Sequence, residues 1–200
     1  MKPPSPQIRI AVYGLFFIAA LSLIYLQIQR DAEKDESLSL LGEIPAFSLT
    51  TQAESTFTRN DLLGRVTIAD FIFTTCAGPC PLMSATMQTM QSQLKSDDHI
   101  SLLSFSVDPE TDTPPVLREY ADRFGADSTR WTFLTGNKSD ILSLIRNGFH
   151  LSVEADSEAI FHSTKFVLID KEARIRGYYD SGEDSTVATL LRDAAGLTKE

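Results

Sequence analysis

Cys76 and Cys80 are the only cysteines in this 200-residue chain, and they stand four residues apart in Thr74-Thr-Cys-Ala-Gly-Pro-Cys-Pro81, directly after the apolar run Val66 to Phe73. Thiolate sulfur binds Cu(I) and other soft ions, and two neighbouring thiols can also close a disulfide. The pair therefore narrows the chemistry to metal handling, thiol redox, or both. A structural disulfide is the plainer alternative, but a bridge closing so short a loop restricts the unfolded chain less than a long one. Three residues separate these cysteines, where thioredoxin-type reductases have two, and the extra residue leaves room for a metal.

On a helical start, positions i and i+4 share one face. The expected arrangement has Cys76 in the loop before a helix and Cys80 in its first turn, where the positive end of the helix dipole favours thiolate. Gly78 lets the loop bend, and Pro81 suits the first helical position. Two thiolates can hold Cu(I) linearly, whereas Cu(II) or three-coordinate Cu(I) calls for a further ligand, most often histidine. The chain has three. His99 follows Lys95-Ser-Asp-Asp and reads as a solvated loop residue, and His150 follows Gly148-Phe and reads as flanking a helix end. His162, in Ile160-Phe-His-Ser-Thr, precedes a candidate strand and is the expected third ligand.

Positioning these groups needs a sheet and its helices. Phe47 to Thr50 and Ser55 to Thr58 flank a polar turn as a short hairpin, and Val66 to Phe73 is the strongest strand. Pro81 to Ser96 places Leu82, Met83, Met87, Met90 and Leu94 at intervals that suit a helix packed on a sheet. That spacing explains the methionines as core residues and not as a copper-binding box. Strands follow at Ile100 to Val107 and Trp131 to Leu134, with helices at Thr113 to Gly125 and Ser139 to Gly148. A hairpin of Thr164 to Asp170 with Ala173 to Tyr179 and a helix from Asp184 to Ala195 close the chain. Alternating strands and helices with a terminal hairpin predict an α/β mixed sheet flanked by helices, of thioredoxin-like topology. Asp108-Pro-Glu110 falls at the ligand-binding end of such a sheet, where Asp108 either supports the site or caps the turn before Thr113.

The N-terminal region has a different character. Ile10 to Gln29 carries no charge, and Ile10 to Leu26 is nearly continuously apolar, long enough for one bilayer crossing. The run continues through Leu23-Ile-Tyr-Leu26 without a small-residue cleavage site, which favours a retained transmembrane helix over a cleaved signal. Lys2 and Arg9 precede it without any acid, so residues 1–9 are expected in the cytoplasm and the remainder outside it. Residues 30–43 read as a tether and residues 44–200 as the folded domain. Beyond residue 30 the chain has 15 basic and 27 acidic residues, a formal charge of −12, which disfavours nucleic-acid binding.

Together these segments resemble the Sco/SenC family of membrane-anchored copper proteins. The resemblance is carried by Phe71-Ile-Phe-Thr-Thr-Cys76 with Cys80-Pro81, Ser104-Phe-Ser-Val-Asp-Pro-Glu-Thr-Asp-Thr-Pro114, Trp131-Thr-Phe-Leu-Thr-Gly136, His162-Ser, Leu168-Ile-Asp170 and Gly177-Tyr-Tyr-Asp180. It covers about Ile44 to Leu197 and departs from the usual pattern at Ala77-Gly-Pro79 and at Lys171-Glu-Ala-Arg174, which lacks the customary turn glycine. The resemblance implies a thioredoxin-like fold and one copper ion held by Cys76, Cys80 and His162. It also implies a role as a metallochaperone in assembling the dinuclear copper site of cytochrome c oxidase. The partners it implies are a copper-accepting oxidase subunit and a periplasmic copper donor or thiol reductant. The alternative within the same resemblance is a membrane-anchored thiol-disulfide reductase, with Cys76 attacking and Cys80 resolving.

Overall fold

A computed structural model describes residues 19–23, 38–95, 99–151 and 163–200. The chain divides into two units, residues 1–38 and 39–200. In the first, residues 19–23 are helical, and the rest of the expected transmembrane segment lies outside the described residues. Among the described residues no helix is long and apolar enough to cross a membrane.

The second unit is built on one eight-stranded sheet of order β1-β8-β7-β4-β5-β6-β2-β3. Its strands are β1 (Gly42–Glu43), β2 (Ser48–Thr51), β3 (Thr56–Thr58), β4 (Val66–Ile72), β5 (Ile100–Ser106), β6 (Trp131–Thr135), β7 (Lys165–Ile169) and β8 (Arg174–Asp180). The helices are α1 (Cys80–Gln93), α2 (Pro114–Arg123), α3 (Lys138–Ser143) and α4 (Thr186–Leu197). β4, β5 and β6 are parallel, whereas β7 runs antiparallel to β4. This is the mixed α/β sheet of a thioredoxin-like fold. Two features add to the expected elements: the two-residue strand β1, paired to β8, and a π-helical turn at Leu144–Gly148 that continues α3.

Every residue of β4 is buried, as suits a central strand covered on both faces. Side chains alternate between those faces. On one, Phe71 stacks on Phe105 with centroids 5.4 Å apart and meets Phe149 edge-on at 4.9 Å. Asp70 points to the other face, that of α1 and α2. There Met83, Met87 and Met90 are fully buried, in accord with core packing, each contributing roughly 1.5–3 kcal/mol of burial.

Candidate metal and thiol site

The cysteine loop leaves the C-terminal end of β4 and returns as α1. The Cys76 N–H donates to the Phe73 carbonyl (3.2 Å), which tightens the exit from the strand. Cys80 is the first residue of α1, with Pro79 at the N-cap and Pro81 in the first turn, where a missing N–H costs no helical bond. Cys76 thus lies in the loop and Cys80 on the helix, as the spacing predicts. Both are buried free thiols.

The two sulfurs are not equivalent. Burial opposes ionisation of Cys76, but the Cys80 thiol and the backbone N–H groups of Cys80 and Gly78 donate to it and bring its pKa below the ordinary thiol value. The Gly78 N–H lies 3.4 Å from the Cys76 sulfur. Cys80 is pushed up to about 12, first by burial and then by its hydrogen bond to Cys76, with the negative charges of Cys76 and Asp70 adding to the effect. Cys76 is therefore the more readily ionised sulfur of the pair, and Cys80 the one that keeps its proton longer.

A carboxylate braces the loop from the connection that follows β5. Asp112 is fully buried and accepts from the Thr74 hydroxyl (2.5 Å), the Thr74 N–H (3.2 Å) and the Ser106 hydroxyl (2.6 Å). Burial raises its pKa, and the Ser106 and Thr74 bonds partly counter the rise. The sequence singles out Asp108 instead, but Asp108 shapes the turn through its main chain: its carbonyl accepts from Thr111 (3.1 Å) and Asp112 (2.9 Å). Glu110 pairs at the surface with Lys138 (3.2 Å). The capping role is thus the one Asp108 fills. The carboxylate that reaches the cysteine loop is one turn farther along.

Asp70 is a second carboxylate near the site that the motifs do not single out. It is fully buried, and neither carboxylate oxygen has a hydrogen-bond partner. Burial raises its pKa to about 7, with the nearby Ser104 hydroxyl favouring the ionised form only in part. The signal for it in the sequence is a single acid in the middle of Val66 to Phe73, masked by the apolar character of the rest of that run.

The histidines separate by position. His99 is exposed, and its carbonyl accepts from the Val66 N–H (3.1 Å) at the start of β4, the end remote from the cysteines. His150 is exposed just past Phe149. His162 lies outside the described residues. β7 begins three residues after it, at Lys165, and runs antiparallel to β4, so the start of β7 lies at the sheet end from which the cysteine loop departs. No cluster of three or more His, Cys, Asp or Glu side chains suited to a metal occurs among the described residues. The two adjacent sulfurs, one of them accepting from the Gly78 N–H, form a donor set that suits a soft cation.

The sequence profile of the SCO1/SenC family matches residues 39–196. The chain belongs to the SCO1/SenC family. The SCO1 protein homolog of Bacillus subtilis (strain 168) is 30% identical over 155 residues, covering 76% of this chain and 80% of the relative. The solved structure of BsSco, a member of the Sco family of cytochrome c oxidase assembly proteins in which a disulfide switch is identified, matches with a TM-score of 0.72. Its identity is 28%, over 81% of this chain and 97% of BsSco. Yeast Sco1 with copper bound has the same fold, with a TM-score of 0.61 and 24% identity over 77% of this chain and 88% of that one.

Proposed function

We infer that this SCO1/SenC family member is a copper-binding assembly factor for cytochrome c oxidase, with Cys76, Cys80 and His162 as the metal ligands. The observation that carries the reading is the pair of adjacent free thiols at the strand-to-helix turn, with a Gly78 N–H directed at the Cys76 sulfur and Cys76 the more easily ionised of the two. His162 is the third ligand because the strand it precedes starts at the cysteine end of the sheet. Copper is the cargo here, handed on to a copper-accepting oxidase subunit. The segment 10–29 anchors the chain in the cytoplasmic membrane and residues 30–43 tether the domain outside the cytoplasm. The binding test is anaerobic titration of the reduced protein with Cu(I) against a competing chelator, beside His162→Ala. The expected result is one copper per chain, held at least tenfold more weakly by the variant; absence of stoichiometric binding contradicts the reading.

The same asymmetry suits a second activity, thiol-disulfide exchange on the oxidase's copper-site cysteines. A low-pKa thiol attacks and a protonated neighbour resolves. In that reading Cys80→Ser traps a mixed disulfide on Cys76, and His162→Ala leaves the exchange intact. A Cys80→Ser protein that forms no adduct with a partner disulfide removes it.

A further inference from the structure

Gly177-Tyr-Tyr-Asp180, one of the segments that carry the family resemblance, ends β8 and takes no part in the sulfur chemistry. Its side chains alternate between the two faces of the sheet. Tyr179 goes to α4: its ring lies over Gly177, where a Cβ would stand 2.7 Å from it, and its hydroxyl donates to Asp193 (2.8 Å). Tyr178 goes to the opposite face, where its hydroxyl donates to the Phe149 carbonyl (2.9 Å) just past the π-helical turn. Asp180 accepts from the Lys165 ammonium (2.8 Å), and the Ser181 N–H donates to the Thr164 carbonyl (2.8 Å). Residues 178–181 therefore hold two places in the chain, one at Phe149 and one at Thr164 and Lys165. In sequence His162 stands between them.

The chain around Phe149 is fixed from several sides. The Phe149 ring meets Phe71 and Phe105 edge-on, with centroids 4.9 and 5.2 Å away. His150, at φ +51°, lays its ring against Gly42, where a Cβ would stand 2.9 Å from Cδ2 and Nε2. The Leu151 N–H donates to the Ile145 carbonyl (3.1 Å). The Phe149 carbonyl lies past the helical hydrogen bonds, and the Tyr178 hydroxyl supplies its donor. We propose that Tyr178 is a positioning residue for the third copper ligand: its hydroxyl fixes the end of the connection that leads to His162, opposite the end fixed at Thr164 and Lys165. This rests on the reading of His162 as a ligand. A ligand carried between two anchored points gives up less freedom on binding than one anchored at a single point, so the imidazole reaches the sulfur pair at lower entropic cost. The Lys165–Asp180 pair is partly exposed and contributes little alone, and the Ser181–Thr164 bond is main chain, which leaves the Tyr178 hydroxyl as the tie that one substitution removes.

The test is anaerobic Cu(I) titration of the reduced full chain against a competing chelator, for wild type, Tyr178→Phe, His162→Ala and the double variant. Tyr178→Phe is expected to weaken binding roughly threefold, a part of the loss seen with His162→Ala, and to change nothing further in the His162→Ala background. A merely structural hydroxyl weakens binding by the same factor in both backgrounds, and that result overturns the proposal. Wild-type affinity in Tyr178→Phe, beside weakened binding in His162→Ala, also overturns it and leaves the three-ligand reading standing. Wild-type affinity in His162→Ala removes that reading and the positioning role with it. A Tyr178→Phe protein that fails to fold makes the hydroxyl a structural group and likewise overturns the proposal.

Discussion

Two buried carboxylates, Asp70 in β4 and Asp170 at the β7–β8 turn, are treated in opposite ways. Asp170 accepts from the N–H groups of Glu172 (3.0 Å) and Arg174 (2.9 Å) and from the guanidiniums of Arg174 (2.8 Å) and Arg176 (3.1 Å). Although burial opposes its charge, these donors outweigh it and its pKa is lowered. Asp70 is as fully enclosed, has no such donor, and is raised to about 7. The turn shows what this chain does when a carboxylate holds structure together: it surrounds it. Asp70 is the opposite case, a carboxyl enclosed on the face of the cysteine helix whose charge is opposed chiefly by burial.

The strongest consequence of disturbing this contrast is expected at the turn. Asp170→Ala leaves Arg176, 8% exposed, and the turn N–H groups short of an acceptor, and is expected to cost about 4 kcal/mol in denaturant unfolding. A loss under about 1 kcal/mol means the turn does not depend on that carboxylate. Next is Asp112→Ala, which strips three donors at Thr74 and Ser106 of their acceptor. About 2 kcal/mol should be lost, and the alkylation rate of Cys76 should change as the loop comes free. An unaltered alkylation rate would separate the brace from the cysteines.

The pH dependence distinguishes the two carboxylates by sign. Asp170, with its folded pKa lowered, contributes stability that is present above its unfolded pKa and lost as pH falls through the folded value. Asp70, with its folded pKa raised to about 7, acts oppositely: once pH exceeds the unfolded value of 3.8, the unfolded state releases a proton that the native state keeps. The reduced protein should therefore lose stability at about 1.4 kcal/mol per pH unit from this group between roughly pH 5 and 6.5. Asp70→Asn should lack that slope, and the same slope in both proteins would assign it elsewhere.

A final, smaller change refines the picture of the turn. Ala173 takes φ +61°, a left-handed conformation that favours glycine, and its methyl is fully buried. Ala173→Gly relieves about 1 kcal/mol of left-handed strain and gives up about 0.8 kcal/mol of methyl burial. A change within about 0.5 kcal/mol in thermal unfolding is expected; a larger gain would make residue 173, not Asp170, the determinant of the turn.

Much of this architecture is legible in the amino-acid sequence. Short apolar runs mark β4, β5 and β6 because these strands are buried nearly throughout, period-3.6 patterns mark the helices because each buries one face, and the cysteines announce themselves by spacing. β1 leaves no such trace, since two residues paired through main chain need no side-chain pattern. The π turn after α3 is likewise a backbone event. Asp108 attracts attention by its place at the end of β5, but chain direction gives the reach to Asp112. Asp70 is visible only when one asks why an acid stands in a strand buried on both faces.

Whether two sulfurs and one histidine share a single copper is decided by X-ray absorption of the copper-loaded full chain. Two sulfur scatterers and one imidazole nitrogen are expected on one copper, with the imidazole scattering lost in His162→Ala and one sulfur lost in Cys80→Ser. A spectrum with two sulfurs that is identical in wild type and His162→Ala would contradict the three-ligand site.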